Sequence, residues 1–269
     1  MRKPFLFLLS AVVLTVLWTA TSVNASTNPP FQPGEKLTFN LRWGVFSAGT
    51  AILEVHPMAE LNGEEVYHFS LTVRTNSFVD RIYKVRDRID AYATSDMGAS
   101  ALYRKKQREG RHERDILVTF DLDEGKALYS NFGKEDDPID IKPNTFDPLS
   151  VFYAFRMQPV EENSTVQLYV TDGKELQLGE GRIGRREKIR VPAGEFEAIL
   201  VEPDMRDVGG VFEESDDATL QIWLSDDDRR IPVRLSSKVV VGSFHADLIE
   251  IDGEERASLP DPPSVRRRR

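Results

Sequence analysis

The sequence predicts an all-β fold with one short helix: an antiparallel, strongly curved sheet or partly closed β-barrel of more than ten strands. Three observations predict it. Apolar and polar residues alternate with period two through most of the chain, turn residues recur between these stretches, and a single segment carries apolar residues at helical spacing. A sheet with this many short strands is expected to curl or close, because open edges invite aggregation.

The elements follow in chain order. Residues 1–25 hold Arg2 and Lys3, an uncharged apolar run from Phe5 to Trp18, and Val23-Asn24-Ala25 before Ser26. This is the layout of a cleavable secretory leader. The run is shorter than the about 20 apolar residues that span a bilayer. The chain has no cysteine to accept a lipid or form a disulfide. The expectation is a periplasmic protein that is not a lipoprotein and has no transmembrane span once the leader is cleaved.

Residues 26–258 then read as one β-rich domain. Leu37, Phe39, Leu41 and Trp43 face one way while Lys36, Thr38, Asn40 and Arg42 face the other. Tyr67, Phe69, Leu71 and Val73 repeat the pattern after a turn at Asn62-Gly63, as do Ile116, Val118, Phe120 and Leu122, which lead through Asp123-Glu124-Gly125 into Ala127–Tyr129. Later strands are expected around Leu168, Ile189, Ala198, Ile222, Val233 and Leu248. Turns are expected at Asp172-Gly173, Ala193-Gly194, Gly209-Gly210 and Asp226-Asp227-Asp228.

The helical exception begins at Asp147-Pro148. Asp serves as an N-cap, Pro fits the first helical position, and Leu149, Phe152, Tyr153 and Arg156 then fall on one face. This face is expected to cover one end of the sheet, with partner docking as the alternative. The polar stretch before it makes 133–147 the expected seam between two halves. Residues 259–269 read as a disordered Pro/Arg tail, whose Arg266, Arg267, Arg268 and Arg269 offer peripheral contact with phosphate-bearing envelope lipids or acidic partners.

The net charge is −9, and removal of the leader with its two basic and no acidic residues takes it to −11. Such a balance disfavours general nucleic-acid binding. Sites for chemistry are thin. Ser243, His245 and Asp247 share a strand face, but residues two apart on a strand stand about 7 Å from one another, beyond nucleophile–base reach. Gly179-x-Gly181-x-x-Gly184 lacks the strand–helix context of a dinucleotide loop. His56, His68 and His112 have no metal-ligand spacing, and Asp226, Asp227 and Asp228 alternate in direction. No catalytic residue, cofactor or metal is expected.

Two basic stripes are the chemical candidates. Lys84, Arg86 and Arg88 alternate with Val85, Asp87 and Ile89, and Arg104, Lys106 and Arg108 alternate with Tyr103, Lys105 and Gln107. If the two strands pair, one sheet face carries several cations suited to a carboxylate or phosphate. The competing reading is a solvated outer face neutralised by Asp and Glu.

Several separated motifs complete the picture: Gly34-Glu35-Lys36-Leu37 through Trp43-Gly44, Ser47-Ala48-Gly49-Thr50, Asp147-Pro148-Leu149-Ser150, Val191-Pro192-Ala193-Gly194-Glu195-Phe196, Ile222-Trp223-Leu224-Ser225-Asp226-Asp227, and Arg230-Ile231-Pro232-Val233. In this order they make the chain resemble DUF3108, a bacterial exported domain of unknown function. The resemblance implies a periplasmic β-rich module and carries over no catalytic residue. The expected function is a non-catalytic binding or carrier module for an envelope lipid, glycan or other anionic ligand. An envelope scaffolding or protein-interaction module is the alternative, and a hydrolase the remaining one.

Overall fold

The computed structural model describes residues 29–204, 219–239 and 242–252; the expected leader, the Gly209-Gly210 turn and the Pro/Arg tail lie outside them. The described strands are β1 (Lys36–Trp43), β2 (Phe46–Val55), β3 (Ala59–Leu61), β4 (Glu64–Thr75), β5 (Arg86–Thr94), β6 (Ser100–Glu109), β7 (His112–Asp121), β8 (Lys126–Asn131), β9 (Lys134–Glu135), β10 (Ile139–Asp140) and β11 (Thr145–Phe146). After the helix α1 (Ser150–Arg156) come β12 (Thr165–Thr171), β13 (Leu176–Val191), β14 (Gly194–Pro203), β15 (Thr219–Ser225), β16 (Pro232–Val239) and β17 (Gly242–Asp252). One turn of 3-10 helix, Val79–Arg81, lies between β4 and β5.

All 17 strands belong to one sheet. Antiparallel pairing runs from β12 through β13, β14, β15, β16 and β17 to β1. It continues from β1 through β2, β4, β5, β6 and β7 to β8. The first strand therefore joins the two halves of the ladder. The predicted alternation is visible in burial: Leu37 and Phe39 are buried in β1, and Ile116 and Val118 in β7. The turn at Asn62-Gly63 has both residues at positive φ, 54° and 86°, the conformation that a two-residue hairpin requires.

The expected seam is stitched into this sheet. β10 pairs with β8 at one end of the ladder, and β11 pairs with β12 at the other, the latter in parallel. The few residues between β10 and β11 thus cross from one edge to the other. No β-pairing links β8 to β12 among the described residues, so the ladder is not closed. Side chains meet across the gap instead: Lys174 Nζ sits 4.9 Å from the Tyr129 ring centre. Gly173, at φ +94°, packs so closely that an added Cβ would fall 2.8 Å from a Val118 methyl.

Asp147 caps the turn that leads into the helix, but Pro148 precedes the helix instead of taking its first position. The Asp147 carboxylate accepts the N–H groups of Leu149 and Ser150, at 2.8 and 2.9 Å, and the Ser100 hydroxyl at 2.5 Å. Regular helix starts three residues later, at Ser150. Tyr153 stacks on Phe69 at 3.8 Å between ring centres, while Phe31 meets both rings edge-on. In β14 the run from Ala198 to Val201 is buried throughout: Ala198 and Leu200 belong to the main core, and Ile199 and Val201 to a second cluster under Phe152 and Phe155.

Candidate functional site

The β5–β6–β7 register decides what each basic stripe does. Arg88 lies opposite Lys106, and Arg86 opposite Arg74 of β4. Opposed residues share a face, so Arg74, Arg86, Arg88, Arg104, Lys106 and Arg108 stand on one side of the sheet. Tyr103, Ala91 and Val118, at the intervening positions, are buried in the core, so this basic face points outward.

On the outer face a shallow depression of about 340 Å³ brings together Arg86, Arg88, Lys106 and Arg108 with Arg74 and Thr72. Arg104 lies one row beyond it, and Lys84 is exposed in the connection before β5. Carboxylates hold most of these cations. Arg86 contacts Asp80 at 2.5 Å, Arg88 contacts Asp90 at 2.6 Å, Arg104 contacts Asp115 at 3.3 Å, and Arg108 contacts Glu113 at 3.9 Å. Burial alone would raise Asp90, but hydrogen bonds from Arg88 and His68 outweigh it and hold the carboxyl below its usual range. Arg74 and Lys106 make no ion pair among the described residues.

The other face of the same strands opens on a much larger space. A cavity of about 1180 Å³ lies between the two ends of the ladder. Its apolar wall combines Ile89 and Ile116 with Leu168 and Val170 of β12, and α1 contributes Val151, Phe152 and Phe155. Toward the β6–β7 turn the lining becomes polar, with Lys105, Gln107, Glu109, His112 and Arg114. Lys105 and Arg114 make no ion pair among the described residues, and the Gln107 Oε1 is buried without a hydrogen-bond partner.

Beside this polar stretch, burial lifts the Asp87 carboxyl to about 6; the Arg108 backbone N–H, which it accepts at 2.8 Å, pulls the other way, and neighbouring Glu109 adds to the rise. Tyr83, next to the same two carboxylates, is also raised, chiefly by burial.

The cavity residues alternate with the denser outer stripe on the same strand. Arg104 to Glu109 is polar on both faces of its strand, whereas a dry core behind it would demand alternate apolar residues. That two-sided polarity is the sequence signal for a wet inner wall.

The remaining candidates resolve into local structure. Asp247 is buried between Arg42 and Arg234, each at 2.6 Å, so its carboxylate is occupied by arginine rather than by His245. Burial, then the Arg42 charge, lowers the His245 pKa. Asp226 pairs with Arg186 at 2.8 Å, and Asp227 accepts the Ser225 hydroxyl and the N–H groups of Arg229 and Arg230, which folds the hairpin turn. Gly179, Gly181 and Gly184 lie within β13; a Cβ at Gly181 would fall 2.9 Å from the Phe155 ring.

Comparison with known proteins bears on the family and the fold. A family model, "Protein of unknown function (DUF3108)", matches residues 38–249. Among curated proteins none matches the chain. Of solved structures, a β-barrel-like protein of the DUF1849 domain of unknown function from Brucella abortus is similar at a TM-score of 0.52 and 10% identity, covering 82% of this chain and 97% of that one. The hypothetical protein CT021 from Chlamydia trachomatis is similar at a TM-score of 0.38 and 8% identity, over 86% of this chain and 93% of that one. The first likeness supports a β-barrel-like fold.

Proposed function

The chain belongs to the DUF3108 family, and on that premise we propose that it is an exported, non-catalytic carrier module whose cavity takes the apolar part of an envelope lipid or similar anionic amphiphile. The ladder curls strongly enough to form a partly closed barrel, with residues 139–146 strapping its open side and α1 plugging its lower end. Export follows from the leader-like residues 1–25.

One observation carries this reading: a cavity of about 1180 Å³ has an apolar wall at α1 and, at the β6–β7 turn, a polar wall where Lys105 and Arg114 stand with Glu109, while Asp172, Glu175 and Glu180 line the side opposite. Small-molecule pockets run to about 1,000 Å³, lined mainly by apolar side chains with a few polar groups that fix orientation. This space lies just above that range. An aliphatic chain gains about 0.8 kcal/mol for each CH₂ removed from water, and a carboxylate or phosphate near Arg114 gains a charge-assisted hydrogen bond. A glycan would leave the apolar wall unused, so lipid is favoured over glycan.

Titration with a dansyl-labelled fatty acid tests this. Saturable one-to-one enhancement, displaced by unlabelled palmitate or lysophosphatidylglycerol and not by an acidic oligosaccharide, is expected. Displacement by the oligosaccharide alone, or no saturable signal, would overturn the lipid reading.

A further inference from the structure

Antiparallel register gathers the β1–β2 turn, the β4–β5 connection, the β6–β7 turn and the start of β17 at one end of the sheet. Large apolar side chains crowd this end without burial. Val45 is 83% exposed and Ile82 81%, and Phe46, Phe78, Trp43 and Phe244 are also exposed. The segments that carry them are tied together. Trp43 and Phe244 stack at 6.1 Å, the Asn76 side chain donates to the Ser47 carbonyl at 2.6 Å, and the Gly110 N–H donates to the Lys84 carbonyl at 2.8 Å. Solvent-facing apolar clusters of this kind mark interaction surfaces, whereas isolated exposed side chains do not.

Charge identifies the occupant. Around these tips lie Arg81, Lys84 and Arg111, all exposed and without ion pairs among the described residues. Behind them, on the outer face of β4–β6, comes the row of Arg74, Arg86 and Arg108, and one step further the row of Arg88 and Lys106. Successive rows on a strand face are about 7 Å apart. The carboxylates of Asp80, Asp90, Glu113 and Asp115 offset four of the arginines on this face, and the surplus remains positive in a chain whose net charge is −9. Apolar tips in front of a collar of cations match the depth profile of a bilayer surface, with hydrocarbon beneath anionic headgroups.

We propose that this end of the sheet docks on an anionic lipid surface, inserting Val45, Phe46, Phe78 and Ile82 while Lys84, Arg111 and the arginine rows meet the headgroups. Glu109, His112 and Arg114, which line the polar part of the cavity, lie at the same end, so docking turns that part toward the bilayer. Use of the contact for loading a ligand rests on the carrier reading; the contact itself does not.

Co-sedimentation of the protein lacking residues 1–25 with vesicles tests the proposal. Vesicles of equal parts phosphatidylglycerol and phosphatidylcholine should bind it, and phosphatidylcholine alone should bind it at least about tenfold less. Val45→Asp with Phe46→Asp should weaken binding by about tenfold or more. Lys84→Gln and Arg111→Gln should each weaken it by about fivefold and flatten its salt dependence. These positions are exposed, and circular dichroism should report an unchanged fold. The apolar double variant should still take up the dansyl fatty acid, which separates failure of docking from failure of the carrier reading. Equal binding to both vesicle types, or no binding to either, would overturn the proposal. So would self-association in solution that the Val45→Asp, Phe46→Asp variant abolishes without any vesicle binding.

Discussion

The fully buried guanidinium of Arg156 grips Glu35, with Nη1 2.7 Å from one carboxylate oxygen and Nη2 3.0 Å from the other. The same Nη2 donates to the carbonyls of Pro30 and Arg229. The pair therefore ties α1 both to the segment that enters β1 and to the β15–β16 turn. Removing one partner strands the other in a desolvated site, and Glu35→Ala should cost about 3 kcal/mol or more in urea unfolding. A cost below about 1 kcal/mol would mean that the helix is held by its aromatic face alone.

Asp87 should give the protein a pH-dependent weakness. Burial raises its folded-state carboxyl from 3.8 to about 6, so the folded state holds the extra proton between those values. Stability is lost as pH rises from about 4 to about 6, and the loss is constant above that. Asp87→Asn, which keeps an acceptor for the Arg108 N–H, should therefore stabilise the protein at pH 8. With solvent screening of this half-exposed group, the gain is about 1 kcal/mol. It should vanish near pH 4. Thermal melts across this range check it, and a gain that grows toward acid pH would contradict the assignment.

Gly173 tests the approach of the two ladder edges. Any side chain there meets Val118 at under 3 Å and must also adopt φ +94°. Gly173→Val should destabilise by about 3 kcal/mol. Hydrogen exchange should quicken in β7 and β8 as well as in the β12–β13 turn. Faster exchange confined to the turn would show that the edges do not support each other.

The inner and outer faces of β6 should separate in binding assays. Lys105→Gln with Arg114→Gln should weaken an anionic amphiphile by about tenfold, and leave a neutral one of the same chain length nearly unchanged. Replacement of Arg86, Arg88, Arg104 and Lys106 by Gln on the outer face should leave cavity affinity within about twofold. The reverse ranking would return the ligand to the outer depression.

Much of this architecture was legible in the sequence, because burial writes itself into period-two strands and because Asp147-Pro148 punctuates the entry to α1. Asn62-Gly63 announced its hairpin through a backbone conformation that few other residue pairs tolerate. The cavity was legible only in part: the two-sided polarity of Arg104 to Glu109 marks one wet wall, and nothing local brings β12 and α1 opposite it. Whether Lys105 or Lys106 points inward is a matter of register, and a slip of one residue exchanges them. The carboxylates that neutralise the outer stripe come partly from distant strands and loops: Asp80 precedes β5, and Asp115 is in β7. The parallel pairing of β11 with β12 is equally silent in sequence, since two-residue strands carry no periodicity.

Native mass spectrometry of the protein purified without detergent tests the carrier account most directly, with Val151→Trp as its control. Val151 is half-buried on α1 and lines the cavity, so the indole fills ligand space with little cost to the fold. One anionic amphiphile per chain is expected in the parent protein, and its loss in the Val151→Trp variant at equal thermal stability. A parent protein that stays empty after incubation with lysophosphatidylglycerol, or equal occupancy in both proteins, would contradict it.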